Sequence, residues 1–143
     1  MNEFRATAMA DLHTLTAFVD AACAEAGVGE DVAFAVRLAV EEAFTNIMEH
    51  GYGGDGGPVA VAIDAGAHGV RVVIRDEAPA FDPLHAPAPD LDAALEEREP
   101  GGLGWHLVRQ VMDTVEHEPA TPRGNVLTLT KRLPAAAPEH QEG

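Results

Sequence analysis

A chain of 143 residues, 46% of them hydrophobic, has the length of one domain with one core. Its formal charge is -15, from 24 acidic against 9 basic residues, and the basic ones are scattered, with only Lys131 and Arg132 adjoining. A phosphate-backbone binder needs a clustered positive footprint, so DNA, RNA and anionic membrane are poor partners, and a polyanionic small molecule would have to be met mainly by backbone N–H groups and a metal ion.

The first residues, MNEFRATAMADLH, have neither a basic n-region nor an apolar h-region, so no secretory signal is expected and a cytoplasmic setting is the default. No apolar run approaches the length that spans a bilayer. FRATA at 4–8 predicts a short strand. Asp11 can cap a helix running to about Ala26, stopped by Gly27, with Leu12, Leu15, Val19 and Ala22 or Cys23 as its apolar stripe. Cys23 is the one cysteine, which excludes an internal disulfide and a cysteine metal cluster and reads as a small buried helical residue. Glu30 or Asp31 begins a second helix with Val32, Val36, Leu38 or Ala39, Ala43 and Ile47 at helical spacing. It should end by Gly51, after roughly 19 residues and about 28 Å.

GYGGDGG at 51–57 breaks the helix. VAVAID and VRVVIRD then alternate as two strands, with AGAHG between them as a hairpin turn. The stretch from Ala78 to Pro100 is rich in proline and acid, and a loop of that length within a compact domain is usually a lid or binding loop. GGLG at 101–104 opens a further helix with Leu103, Leu107, Val108, Val111, Met112 and Val115 facing inward, and Trp105 is assigned to the core. TVEHEP and NVLTLTKRL predict two closing strands joined by a turn around Pro122–Gly124. The tail PAAAPEHQEG should be disordered. Helices, a strand hairpin, a helix and two more strands imply an α+β fold: a two-layer sandwich with helices on one face of a mostly antiparallel, mixed sheet, forming one domain over 1–133.

Glu42, Asn46 and His50 lie four apart, so each drifts only about 40° from the last and all three share one helix face. An amide oxygen is a hard metal ligand, a carboxylate can accept a proton from water or a hydroxyl, and an imidazole can donate to a phosphate oxygen. The same spacing also suits an ordinary solvated stripe. Asp76 ends the second hairpin strand, where it can accept from an exocyclic amino group or simply cap a turn. Glycines 101, 102 and 104 at a helix start form either an anion cradle or a hinge. They are not a P-loop, because Lys131 lies in a strand far from them. The seven histidines show no close pairing of the kind zinc sites use.

Taken together, EEAFTNIMEHGY, IRDEAPAFDPL, EREPGGLGWHLVRQVMDTVEH and GNVLTLTKRL resemble the N box, the two glycine boxes and the final strand of the GHKL (histidine-kinase-like) ATPase family. The likeness covers residues 3 to 133 and is greatest to its RsbW- and SpoIIAB-type branch, the anti-sigma-factor serine kinases. It implies the Bergerat-type ATP-binding fold, ATP with Mg²⁺ as cofactors, and a lid over residues 82–100. On that likeness Asn46 would hold the Mg²⁺ and Glu42 would be the general base that deprotonates a serine or threonine of a partner. Asp76 would bind the adenine amino group, with Ala78 and Asn125 beside it. Gly102, Leu103 and Gly104 would meet the phosphates, and His50 and Arg98 would be further phosphate contacts. The implied partners are a sigma factor and an anti-anti-sigma (STAS-like) protein, met by a homodimer.

Two departures from the family pattern bear on the site. Ala78 and Ala80 flank Pro79 where the family carries glycines, and Pro79 pushes Ala78 toward extended backbone. Asn125 stands where better-studied kinases carry threonine. Weaker ATP binding is expected, and two functions follow from the sequence: a protein kinase, or a non-catalytic nucleotide-binding anti-sigma or adaptor module.

Overall fold

The structure, a computed structural model, describes residues 2–79, 100–122 and 124–134; the side chains at 100–105 and 120 lie outside that description. All of the expected 82–100 lid except Pro100, Arg98 included, lies beyond it, as do the Leu103 and Trp105 side chains and the tail from 135 onward. In chain order come β1 (Asn2–Ala6), a short 3-10 turn (Met9–Asp11), α1 (Leu12–Glu25), α2 (Glu30–Asn46) and a π-helical turn (Ile47–Gly51). They are followed by β2 (Val59–Gly66), β3 (Gly69–Asp76), α3 (Pro100–Val111), β4 (Thr114–Thr121) and β5 (Gly124–Arg132).

The strands form one sheet in the order β1-β2-β3-β5-β4. Each of its pairings is antiparallel, with no parallel pair among the described residues. The expected α+β sandwich is present, with a sheet that is antiparallel rather than mixed. The hairpin turns at Ala67 and His68, between the paired Gly66 and Gly69. Strand alternation sends Val59, Val61, Ile63, Val70, Val72, Ile74, Leu127 and Leu129 to the helical side, where all are buried. There they meet Leu15, Val19 and Cys23 of α1, Val36, Ala39, Val40 and Phe44 of α2, and Val108 and Met112 of α3.

Most expectations for the helices hold, and the exceptions are informative. Gly27 ends α1 with its N–H on the Ala24 carbonyl at 3.1 Å, while the Val28 N–H returns to Cys23 at 3.0 Å, the paired bonds of a Schellman stop. Asp11 does not cap α1 forward: its carboxylate reaches back to accept from the N–H groups of Thr7 at 2.9 Å and Ala8 at 3.1 Å. On α2 the inward residue is Ala39, which is fully buried. Leu107 was expected inward on α3 and is instead 38% exposed, because the inward line runs through Val108 and Met112, one residue away in phase. Cys23 is buried, and burial pushes its thiol pKa up, so it behaves as a core residue.

The second helix does reach Gly51, but its last turn widens. The Tyr52 N–H bonds to the Ile47 carbonyl at 2.8 Å, an i→i-5 bond. A widened turn changes the angular step per residue, so the phase of His50 relative to Asn46 is not that of a regular α-helix, and His50 stands exposed.

Candidate functional site

α2 carries Glu42 half-buried and Asn46 buried, whereas His50, on the π turn, is exposed. Glu42 sits one turn before Asn46, on a helix whose opposite side is anchored by the fully buried Phe44. Burial pushes the Glu42 carboxyl above the ordinary carboxylate range, and the charges of Glu41 and Glu49 add to the shift. A carboxyl so tuned is a better proton acceptor than an exposed one.

Asn46 is 7% exposed, and its side chain makes no hydrogen bond with any described residue. Buried amides are almost always satisfied, and one without a partner costs about 1–3 kcal/mol. Its oxygen is a hard donor of the kind Mg²⁺ takes when substrate phosphates and waters supply the remaining ligands. Among the described residues no group of three or more His, Cys, Asp or Glu side chains could hold a metal by itself. The donor set therefore suits a cation that arrives with its own phosphate ligands and takes one amide from the protein.

The second half of the site is built across β3 and β5. Asp76, 7% exposed, pairs in register with Asn125, 4% exposed. One carboxylate oxygen of Asp76, Oδ1, accepts from the Ala78 N–H at 2.9 Å and from Asn125 Nδ2 at 2.8 Å. Asn125 Nδ2 also donates to the Ala78 carbonyl at 3.0 Å. Asp76 thus caps its own turn with one oxygen, while Oδ2 accepts no hydrogen bond from any described residue. The turn-cap reading of Asp76 holds. Asn125, expected beside the base, acts in this structure as the clamp on Asp76 and on the backbone of Ala78.

Gly124 makes this pairing possible. Its φ is +93°, and a Cβ there would overlap the backbone carbonyl oxygen of Asp76. Only a residue without a side chain lets β5 begin this close to the end of β3.

Of the remaining expected residues, Gly102, Leu103 and Gly104 have their backbone in the opening turns of α3, which starts at Pro100. The first turn of a helix has N–H groups with no intrahelical partner, and proline at its first position sacrifices none of use.

Tyr52 was missed by sequence reasoning. Its hydroxyl donates to the Pro58 carbonyl at 2.7 Å and accepts from the Glu77 N–H at 2.8 Å. Burial pushes the phenol pKa up, with the Glu77 N–H acting against the shift and the charges of Asp76 and Glu77 adding to it. The signal was available: it is the one tyrosine of the chain, set inside a glycine run that otherwise offers nothing to pack.

Comparison with known proteins agrees with this geometry. The family described as Histidine kinase-like ATPase domain matches residues 4–131. The chain is 32% identical over 108 residues to the serine/threonine-protein kinase BtrW of Bordetella bronchiseptica, covering 74% of this chain and 72% of that one. It is 30% identical over 99 residues to an anti-sigma F factor of Bacillus licheniformis, covering 68% of each. It is 28% identical over 107 residues to the serine-protein kinase RsbW of Halalkalibacterium halodurans, covering 68% of this chain and 61% of that one. With a match running through every described strand and helix, this chain belongs to the histidine kinase-like ATPase domain family.

Proposed function

We propose that the protein is an anti-sigma-type protein serine/threonine kinase. It binds ATP with Mg²⁺, transfers the γ-phosphoryl group to a Ser or Thr of an anti-anti-sigma (STAS-like) regulatory protein, and sequesters a sigma factor, acting as a homodimer in the cytoplasm. Relatives named as an anti-sigma factor and as serine or serine/threonine kinases support this reading. The single observation that carries it is the buried Asn46 amide with no described partner, one helical turn from a carboxyl held above its ordinary range.

In this reading the chain's own residues divide the work. Asn46 offers its amide oxygen to the cation, and Asp76 Oδ2 accepts from the adenine amino group while Asn125 holds Oδ1. Gly102, Leu103 and Gly104, in the opening turns of α3, are the phosphate contacts, with His50 and Arg98 as further donors. Magnesium, when bound, would neutralise the phosphate charge. The partner's hydroxyl oxygen bonds to the γ-phosphorus as its proton passes to Glu42, and the bond to the ADP oxygen breaks.

A general base contributes to the chemical step and not to affinity. Glu42→Ala is therefore expected to lower phosphorylation of a STAS-like partner by about 10²–10⁴-fold while nucleotide affinity holds. Undiminished transfer of radiolabelled phosphate by the variant removes Glu42 from the role. An unmodified partner in the presence of wild-type protein, with sigma binding intact, favours the non-catalytic module instead. Light scattering tests the dimer.

A further inference from the structure

Three chain segments that bracket the candidate site meet at one phenol. Tyr52 follows directly on the π turn that ends the Glu42–Asn46 helix. Its hydroxyl donates to Pro58, at the entry to β2, and accepts from the N–H of Glu77, the residue after Asp76. The ring fits because residue 57 is glycine: a Cβ there would overlap the Tyr52 ring atoms. On the same joint Gly51 faces Ala78 so closely that a Cβ on it would lie 3.1 Å from the alanine methyl. The phenol is therefore packed as well as hydrogen-bonded. The Tyr52 hydroxyl is the only described side-chain group that bonds the exit of β3 to the end of the second helix.

From this junction we infer that Tyr52 is a positioning residue for base recognition: its hydroxyl fixes the exit of β3, and so Asp76, relative to the helix that carries Asn46. The inference rests on the functional reading above, in which Asp76 receives the exocyclic amino group. The hydrogen bonds from Ala78 and Asn125 set how the carboxylate is turned. They do not set how far the strand end lies from the helix, because all three groups sit on the same side of the joint. A nucleotide spans both halves of the site, so its base is read correctly only when that separation is right. A misplacement of the acceptor weakens the ligand that uses it and leaves a ligand without the amino group untouched.

The test is calorimetric titration of the full chain, with Mg²⁺, by ADP and by inosine diphosphate, which lacks the exocyclic amino group. Wild-type protein is expected to prefer ADP by at least about 10-fold. In Tyr52→Phe, which keeps the ring, that preference is expected to fall by about 3- to 10-fold, the effect of one neutral hydrogen bond, with inosine diphosphate affinity unchanged within about twofold. Gly57→Ala retains the hydroxyl but displaces the ring, and should give the same selective loss, which covers the case of a poorly folded first variant. Amide exchange at Glu77 should quicken in both. An unchanged preference, or equal weakening of both nucleotides in a folded variant, overturns the role of Tyr52 alone. A wild-type protein that does not distinguish the two nucleotides overturns the reading of Asp76, and this inference with it.

Discussion

Replacing Asn46 with leucine tests whether the second helix presents its amide to a ligand or merely tolerates it. In this structure the amide is 7% exposed with no described partner, a burden of about 1–3 kcal/mol on the nucleotide-free fold. Leucine has nearly the same size, needs no partner, and favours a helix interior over asparagine by about 0.5 kcal/mol. Asn46→Leu should therefore stabilise the nucleotide-free protein by about 1–3 kcal/mol, or about 4–12 °C in Tm for a chain of this length. The same change removes the hard oxygen. Wild-type protein in Mg-ATP at about 100 times Kd gains about 2.7 kcal/mol from binding, and the variant should lose most of that gain. Thermal denaturation of both proteins, with and without Mg-ATP, measures the two effects in one experiment. A nucleotide-free variant less stable than wild type by more than about 1 kcal/mol would refute the reasoning, since the amide would then already be satisfied by its own chain. A nucleotide-dependent rise in Tm that survives the substitution would refute it from the other side.

Asn125→Ala removes at least the bonds to Asp76 and Ala78 at a position 4% exposed, and should cost about 2–4 kcal/mol in urea denaturation, one bond being to a carboxylate. Threonine at 125, with a single donor, should recover about half of that loss; full recovery by threonine would show that the second bond carries nothing. Glu42→Gln tests the perturbed carboxyl. Because the folded state raises the Glu42 pKa, the favourable contribution of this group is present below the ordinary carboxylate range and is lost as pH rises through the raised value. The glutamine variant should thus be more stable than wild type at neutral pH, by about 0.5 kcal/mol for a charge still partly in water, and the two Tm curves should converge in acid. Parallel curves at all pH values would show that the environment of Glu42 does not disfavour its charge.

Much of this fold is written in periodicity. The three-to-four spacing from Val32 to Ile47 and the alternation from Val59 to Ile74 place the helix and the hairpin, because each pattern has one geometry that buries it. What stayed hidden depends on contacts between distant segments. The Asp76–Asn125 bond needs the β3–β5 register, which no local pattern specifies. The π turn changes the phase of His50 without any change in the apolar spacing before it. Leu107 was misplaced because Leu107 and Val108 are adjacent apolar residues, and only the packing of α3 decides between them. Glu42, Asn46, Asp76 and Asn125 could be picked out as residue types; that Asn125 braces Asp76, and that Tyr52 ties the exit of β3 to the second helix, could not.

The approach of Gly124 to Asp76 has a consequence for how this sequence can diverge. Hairpin tips are ordinarily the most forgiving places in a sheet for an extra residue. Beyond the Thr121–Gly124 pair that closes it, this hairpin feeds straight into a contact with no spare room. An insertion must be absorbed as a bulge on the β4 side, because sliding β5 by one position would turn Asn125 to the opposite face and leave Asp76 without its brace. The last hairpin can therefore lengthen away from Asp76 but not toward it.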